Sequence, residues 1–213
     1  MQIHQLKDTR FTSNVYLINS ERPTLLDTGV DLKEKILQWI SQILGSRKLA
    51  QIVFTHGHPD HIDHAAEIAS HFGVPFSIHS GDSELLPDAQ PLRDRVDCGQ
   101  WQLEVIHTPG HSHGGVCFYE PQQKILFSGD TIFPGGRTGR WDLPTAQYDD
   151  LLKSVERLLE LDINSLYPGH HNPIEGNVRA HLEASLETLK QIGPQFDDAK
   201  YDARIAEVSS ELS

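Results

Sequence analysis

The 213 residues include only two cysteines, Cys98 and Cys117, and these form no C-x-x-C pair. Two thiols are too few for a disulfide framework, so a core must hold the fold and a reducing compartment is the simpler one. Both are expected as small buried hydrophobes. Long apolar runs are also missing: no stretch approaches the roughly 18 to 20 residues of a membrane helix. Met1-Gln2-Ile3-His4-Gln5 has neither the basic nor the apolar region of a signal peptide. The expected location is therefore the cytoplasm, with no membrane partner. Positive charge is scarce, with 18 Lys and Arg against 30 Asp and Glu and a net charge of −12. Phosphate binding is driven by Lys and Arg, so the expected partner is a small molecule and not a nucleic acid. No motif encodes an oligomeric state.

What the chain does have is thirteen histidines, an enrichment that matters only if they are arranged. The apolar segments that frame them come first. Asn14 to Ile18 and Pro23 to Asp27 read as an opening antiparallel hairpin. From Asp31, the residues Ile36, Leu37, Ile40, Ile43 and Leu44 recur at helical spacing, with Asp31 and Glu34 as a capping pair and Gly45 as a stop. Gln51 to Thr55 reads as a strand and Asp63 to Phe72 as a helix. Val74 to Ile78 and Leu103 to Ile106 read as further strands; Gly115 to Tyr119 and Lys124 to Phe127 form a hairpin across Glu-Pro-Gln-Gln. Leu151, Leu152, Val155, Leu158 and Leu159 mark another helix, Ile163 to Tyr167 a strand, and Val178 to Ile192 and Tyr201 to Leu212 the closing helices. Mixed sheets covered by helices follow, in one α/β domain over 1–213 with C-terminal helices over 177–213.

Four segments share one design, an apolar strand running into a Gly- or Pro-containing turn that carries His or Asp. They are Ile-Val-Phe-Thr-His56, Val-Ile-His-Thr-Pro-Gly-His111, Ile-Leu-Phe-Ser-Gly-Asp130 and Ser-Leu-Tyr-Pro-Gly-His170. Strand ends of one sheet converge on one rim, where loops carry catalytic groups. Imidazole and carboxylate without thiolate suit zinc, iron or manganese. In His56-Gly57-His58-Pro59-Asp60-His61 two histidines one residue apart can reach a single ion, while Asp60 and His61, at the next turn, can reach a second.

T-H-G-H-P-D-H at 55 to 61, T-P-G-H-S at 108 to 112, S-G-D-T at 128 to 131 and P-G-H at 168 to 170 resemble the metallo-β-lactamase superfamily. Asn14-Val-Tyr-Leu-Ile and Asp27-Thr-Gly match its first strands, so the resemblance spans roughly residues 14 to 176. It implies a four-layer αββα sandwich and two divalent metal ions, zinc first, with iron or manganese also fitting. By position, His56, His58 and His111 would hold the first ion and Asp60, His61 and His170 the second, with Asp130 bridging. His170 is preferred to its neighbour His171 on the Pro-Gly-His pattern alone. His64, His107 and His113 lie near these ligands and are read as structural, with hydrogen bonding to the ligands as an option; His4, His71, His79 and His181 are read as ordinary.

Two such ions lower the pKa of a bridging water and deliver hydroxide to a carbonyl, so the expected reaction is hydrolysis. Asp60 would also serve catalytically, orienting that water or taking its proton. β-Lactamases of the commonest type have Cys at the position of Asp130. The branch closest in pattern is the thioesterase-like one, glyoxalase II and its short relatives, through Ser128-Gly-Asp-Thr-Ile-Phe133 and Gly-Arg-Trp-Asp142; an acylglutathione is the implied substrate. Glyoxalase II has a C-terminal helical domain that binds glutathione, whereas about forty residues follow Gly176 here. Arg137 and Arg140 are candidates to anchor a substrate carboxylate, with loop ordering and an Arg140–Asp142 pair as the other reading. The rival activities are a mononuclear iron persulfide dioxygenase using His56, His111 and Asp130, a lactone hydrolase, and a non-catalytic metal-binding module. Against the dioxygenase stands Pro168-Gly169-His170, where those enzymes tend to have Pro-Ala-His.

Overall fold

Uninterrupted apolar runs such as Leu25-Leu26 and Ile52-Val53-Phe54 suit strands covered on both faces. The computed structural model, which describes residues 2–7 and 12–212, builds its first sheet around them. Met1 and Ser213, the ends of the expected single domain, lie outside the described residues. The chain divides into two compact units, Met1–Val105 and Ile106–Ser213.

The first unit holds a six-stranded sheet in sequence order: β1 (Gln2–Leu6), β2 (Val15–Asn19), β3 (Thr24–Leu26), β4 (Gln51–Val53), β5 (Phe76–Ile78) and β6 (Gln90–Pro91). β1, β2 and β3 pair antiparallel, and β3 to β6 pair parallel. The expected opening hairpin is β2–β3, with Tyr16 opposite Leu26 and Leu17 opposite Leu25. β1 was not expected. It is an edge strand of which only Leu6 is buried, so it carries almost no apolar pattern.

Helix α1 (Lys33–Leu44) buries Ile36, Ile40 and Leu44, one stripe at four-residue spacing, and stops at Gly45, whose φ is 58°. The expected Asp31–Glu34 cap does not form. Leu32 is the N-cap, and Asp31, itself at φ 53°, donates its N–H to Asp63 Oδ2 at 2.9 Å. The helix expected from Asp63 begins at Ala65 instead, as α3 (Ala65–Phe72), because His64 takes a left-handed conformation with φ 55°. That residue separates α3 from a single turn, α2 (Pro59–Ile62), opened by Pro59 at its first position. Leu17, Leu25, Ile36, Ile40, Ile52 and Ile68 form the heart of this unit's core. A hairpin of β7 (Arg95–Asp97) and β8 (Gln102–His107) ends it, the unit boundary falling within β8.

The second unit carries β9 (Val116–Glu120) and β10 (Ile125–Gly129) as the expected antiparallel hairpin, β11 (Ser165–Pro168) parallel to β10, and β12 (Ile174–Glu175) antiparallel to β11. A parallel neighbour requires a crossover. α4 (Tyr148–Leu158) supplies it, burying Leu151, Val155 and Leu158. α5 (Val178–Ile192) follows as expected, and α6 (Asp198–Glu211) begins three residues before the expected Tyr201. Leu126, Leu151, Val155, Leu166, Leu182 and Leu189 belong to this unit's own core. Both units are thus mixed sheets with helices, the α/β class expected. Among the described residues no helix is long and apolar enough to cross a membrane.

Candidate metal centre

In the first unit β4 ends at Val53, and the chain bends at Thr55 before reaching His58, the extended N-cap of α2. His56 Nε2 and His58 Nδ1 lie 3.1 Å apart. Two imidazoles on one tetrahedral ion, each at about 2.0–2.1 Å, have their nitrogens roughly 3.3 Å apart, so this spacing is that of a chelating pair. Asp60 and His61 stand on α2, with Asp60 Oδ2 3.9 Å from His61 Nε2.

His61 is fully buried, and its Nδ1 donates to Asp27 Oδ2 at 2.8 Å. A carboxylate only accepts, so Nδ1 carries the hydrogen, and in the neutral ring Nε2 is then the nitrogen that can ligate metal. Asp27 is held in turn: Thr55 N–H donates to its Oδ1 and Thr55 Oγ1 to its Oδ2, both at 2.8 Å. Thr28 N and Oγ1 donate to the His61 carbonyl at 2.7 and 3.0 Å. The sequence marked Asp27 only as the end of a strand. The overlooked signal is that it ends an apolar strand as Asp130 does.

In the second unit the turn before His111 is fixed by Gly110, at φ 131°, where a Cβ would fall 2.2 Å from Leu151 N. Only glycine tolerates both that backbone and that approach. His111 Nδ1 donates to the Arg140 carbonyl at 2.8 Å, which again leaves the lone pair on Nε2. Gly139 makes the approach possible, since a Cβ there would meet Asp130 O at 2.4 Å and His111 Nδ1 at 2.6 Å.

Asp130 follows β10, and its Oδ2 lies 3.5 Å from His111 Nε2 and 3.4 Å from His170 Nε2. One carboxylate oxygen thus lies within reach of two imidazole nitrogens at once, a spacing that leaves room for metal ions between them. The position suits a carboxylate that bridges. His170 Nε2 reaches Asp130, and both the His170 and the His171 ring lie against Phe133, centroids 5.8 and 5.4 Å away. Burial, with Arg137 adding to it, pushes the His171 pKa down.

Within each unit the donors fit a divalent ion, with nitrogen and carboxylate oxygen and no thiolate. Cys98 and Cys117 are both buried, as expected, and burial pushes their thiols up to about 11.

The two arginines differ. Arg140 forms a bidentate pair with Asp142, Nε to Oδ1 at 2.9 Å and Nη2 to Oδ2 at 2.7 Å, and Nη1 reaches Asp198 Oδ1 at 3.2 Å. It also lies 4.5 Å over the Phe196 ring. The guanidinium holds the Asp142 carboxyl below the usual carboxylate range. Arg137 is half-buried and donates to the Pro134 carbonyl at 3.1 Å, with no carboxylate at ion-pair distance among the described residues. Its loop is clamped by the C-terminal helices. Gly135 N donates to His181 Nδ1 at 2.9 Å, Ser185 Oγ to Arg137 O at 3.0 Å, and Tyr201 OH to Thr138 O at 3.0 Å. The remaining histidines near the motifs hold local structure: His107 Nε2 donates to His113 O at 2.9 Å, and His64 pairs with Asp63 and Glu67.

Comparison with known proteins gives a consistent result. Residues 8–170 match the family model of the metallo-beta-lactamase superfamily. The chain is 32% identical over 192 residues to the probable metallo-hydrolase MJ0888 of Methanocaldococcus jannaschii, covering 79% of this chain and 92% of that one. It is 29% identical over 187 residues to the hydroxyacylglutathione hydrolase GloC of Haemophilus influenzae, covering 76% and 86%. Among solved structures, TTHA1623 in a di-iron-bound form is 30% identical, with a TM-score of 0.70 and coverage of 86% and 96%. With its family's fold and its cluster of histidines and aspartates, the chain belongs to the metallo-β-lactamase superfamily and is a metal-dependent hydrolase by family.

Proposed function

We propose that the protein hydrolyses a thioester such as an acylglutathione, with two divalent ions held by seven side chains. His56, His58 and His111 would hold the first ion and Asp60, His61 and His170 the second, with Asp130 serving both. The observation that carries this reading is Asp130 Oδ2 lying 3.5 and 3.4 Å from two imidazole nitrogens. The match of the family model, residues 8–170, runs through the unit boundary, which supports one catalytic domain over 1–213. Identity to a hydroxyacylglutathione hydrolase supports the thioester. Zinc is the first candidate; the nitrogen and oxygen donors suit iron and manganese as well. Two buried thiols suit a cytoplasmic setting.

Bound divalent ions supply Lewis acidity and bring the pKa of a water toward neutrality. The chain's own groups do the rest. Asp60, its carboxylate half-buried beside His61, orients the attacking water and takes its proton. Asp27 and the Arg140 carbonyl fix the tautomers of His61 and His111. Arg137, in a chain of net charge −12, keeps its charge for a substrate carboxylate, while Arg140, paired to Asp142 and Asp198, orders the loop.

The test is metal content and turnover on one preparation, following loss of an acylglutathione thioester alongside oxygen uptake with glutathione persulfide. Two ions per chain with thioester loss are expected. A single iron with persulfide-dependent oxygen uptake would replace this reading by a dioxygenase.

A further inference from the structure

Gly57 separates the two histidines of the first-ion pair, and its position says what keeps them paired. His56 and His58 share one side of the loop, their ring nitrogens 3.1 Å apart, and the Cβ position of Gly57 faces another. On that other side lies the short 3-10 helix Ser80–Leu85. A Cβ on Gly57 would come 2.7 Å from Leu85 Cδ1 and 3.1 Å from Asp82 Cβ, so the helix packs directly on the back of the loop. The contact is also polar. The Gly57 N–H donates to Asp82 Oδ2 at 2.8 Å, and Asp82 is 2% exposed.

A buried carboxylate accepting one peptide N–H fixes the orientation of that peptide plane. Rotation of the plane would turn His56 and His58 away from each other, because both side chains hang from the two peptides that meet at Gly57. Glycine at this position is what lets Asp82 approach. The arrangement parallels the first unit's other buried aspartate. Asp27 holds a ring nitrogen of His61, whereas Asp82 holds the backbone between His56 and His58.

We propose that Asp82 is a positioning residue for the His56–His58 pair and sets the affinity of the ion those two histidines hold, separately from the ion held through His61. The inference rests on the ligand assignment above and adds a determinant that contacts no ion. Hydrogen bonds behind metal ligands are worth about 10- to 100-fold in metal affinity, and Asp82 falls in that class through the backbone.

The experiment is titration of the metal-free full-length protein with zinc, and with cobalt to follow its visible absorption, in the wild type, Asp82→Ala, Asp82→Asn and Gly57→Ala. Asp82→Ala is expected to weaken one ion about 10- to 100-fold and leave the other unchanged. Asp82→Asn, whose amide oxygen still accepts from the Gly57 N–H, restores most of that loss. Gly57→Ala keeps every polar group but pushes the 3-10 helix off the loop, and weakens the same ion; it serves as the test if Asp82→Ala does not fold. Unchanged affinity in folded Gly57→Ala, or an equal loss of both ions in Asp82→Ala, overturns the proposal. If the wild type binds a single ion, the two-ion reading fails by itself. Asp82 is then still judged on that one ion, where no loss in Asp82→Ala or Gly57→Ala overturns it.

Discussion

Asp27 shows how one side chain ties the fold to the centre. Its two oxygens accept from His61 Nδ1, Thr55 Oγ1 and Thr55 N–H, all at 2.8 Å, at a residue 2% exposed with a left-handed φ of 58°. Asp and Asn tolerate that backbone better than most residues. Asp27→Asn therefore keeps the conformation but turns an NH2 toward one of three donors. The variant is expected to lose about 1–3 kcal/mol of stability by denaturant titration and about 10- to 100-fold in metal affinity; wild-type values for both would refute the role. At this scale the sequence singled out the residues proposed as ligands, because H-x-H-x-D-H follows an apolar strand in uninterrupted order. It did not show the groups behind them. Asp27 lies 34 residues from His61, and Asp82 lies 25 residues from Gly57; no local pattern links such pairs.

Elements came through where one face is apolar. α5 has the bounds read from its spacing, and α4 and the β9–β10 hairpin lie where expected. Their starts and breaks did not follow so simply. α1 begins at an uncapped Leu32 because Asp31 is committed to Asp63, and the helix read from Asp63 is interrupted at His64. Both departures are tertiary contacts overriding local preference. The turn between β8 and His111 rests on α4 in the same manner. Gln147 N donates to Gly110 O at 2.8 Å, and Ser154 Oγ to Pro109 O at 2.8 Å. Gly110→Ala places a methyl against the Leu151 backbone at a forbidden φ, at a cost of about 1–3 kcal/mol or more. A fall in Tm of roughly 2–4 °C per kcal/mol is expected for a chain of this size. A thermal melt that matches wild type would contradict the packing described.

Across the whole molecule, acid stability is the accessible readout. Burial lowers the pKa of His181 below its ordinary 6.5, and its Nδ1 must stay unprotonated to accept from Gly135 N. The unfolded chain protonates first as pH falls, so this group's contribution is present above about 6.5 and is lost as pH drops through the lowered folded value. His64 has the opposite sign. Its hydrogen bond to Glu67 raises its pKa, and that contribution is present below the unfolded value and fades as pH rises through the folded one. Denaturant titrations from pH 7.5 to 5, taken as wild type minus His181→Gln, isolate the first effect. The wild type is expected to lose more stability on acidification than the variant; parallel profiles would refute it.

The sequence by itself determined the superfamily and the apolar strands and helices that carry its motifs, and proposed which residues ligate, because motif spacing and apolar period are local properties of the chain. The tertiary structure alone decided which imidazole nitrogen carries the lone pair in His61 and His111, and that Arg140 is neutralised while Arg137 is not. Those outcomes depend on hydrogen-bond and ion partners chosen by packing, such as Asp27 34 residues from His61 and Asp198 58 residues from Arg140. A proton's position and a charge's partner are fixed by what lies within hydrogen-bond distance in space, and spacing along the chain does not specify that.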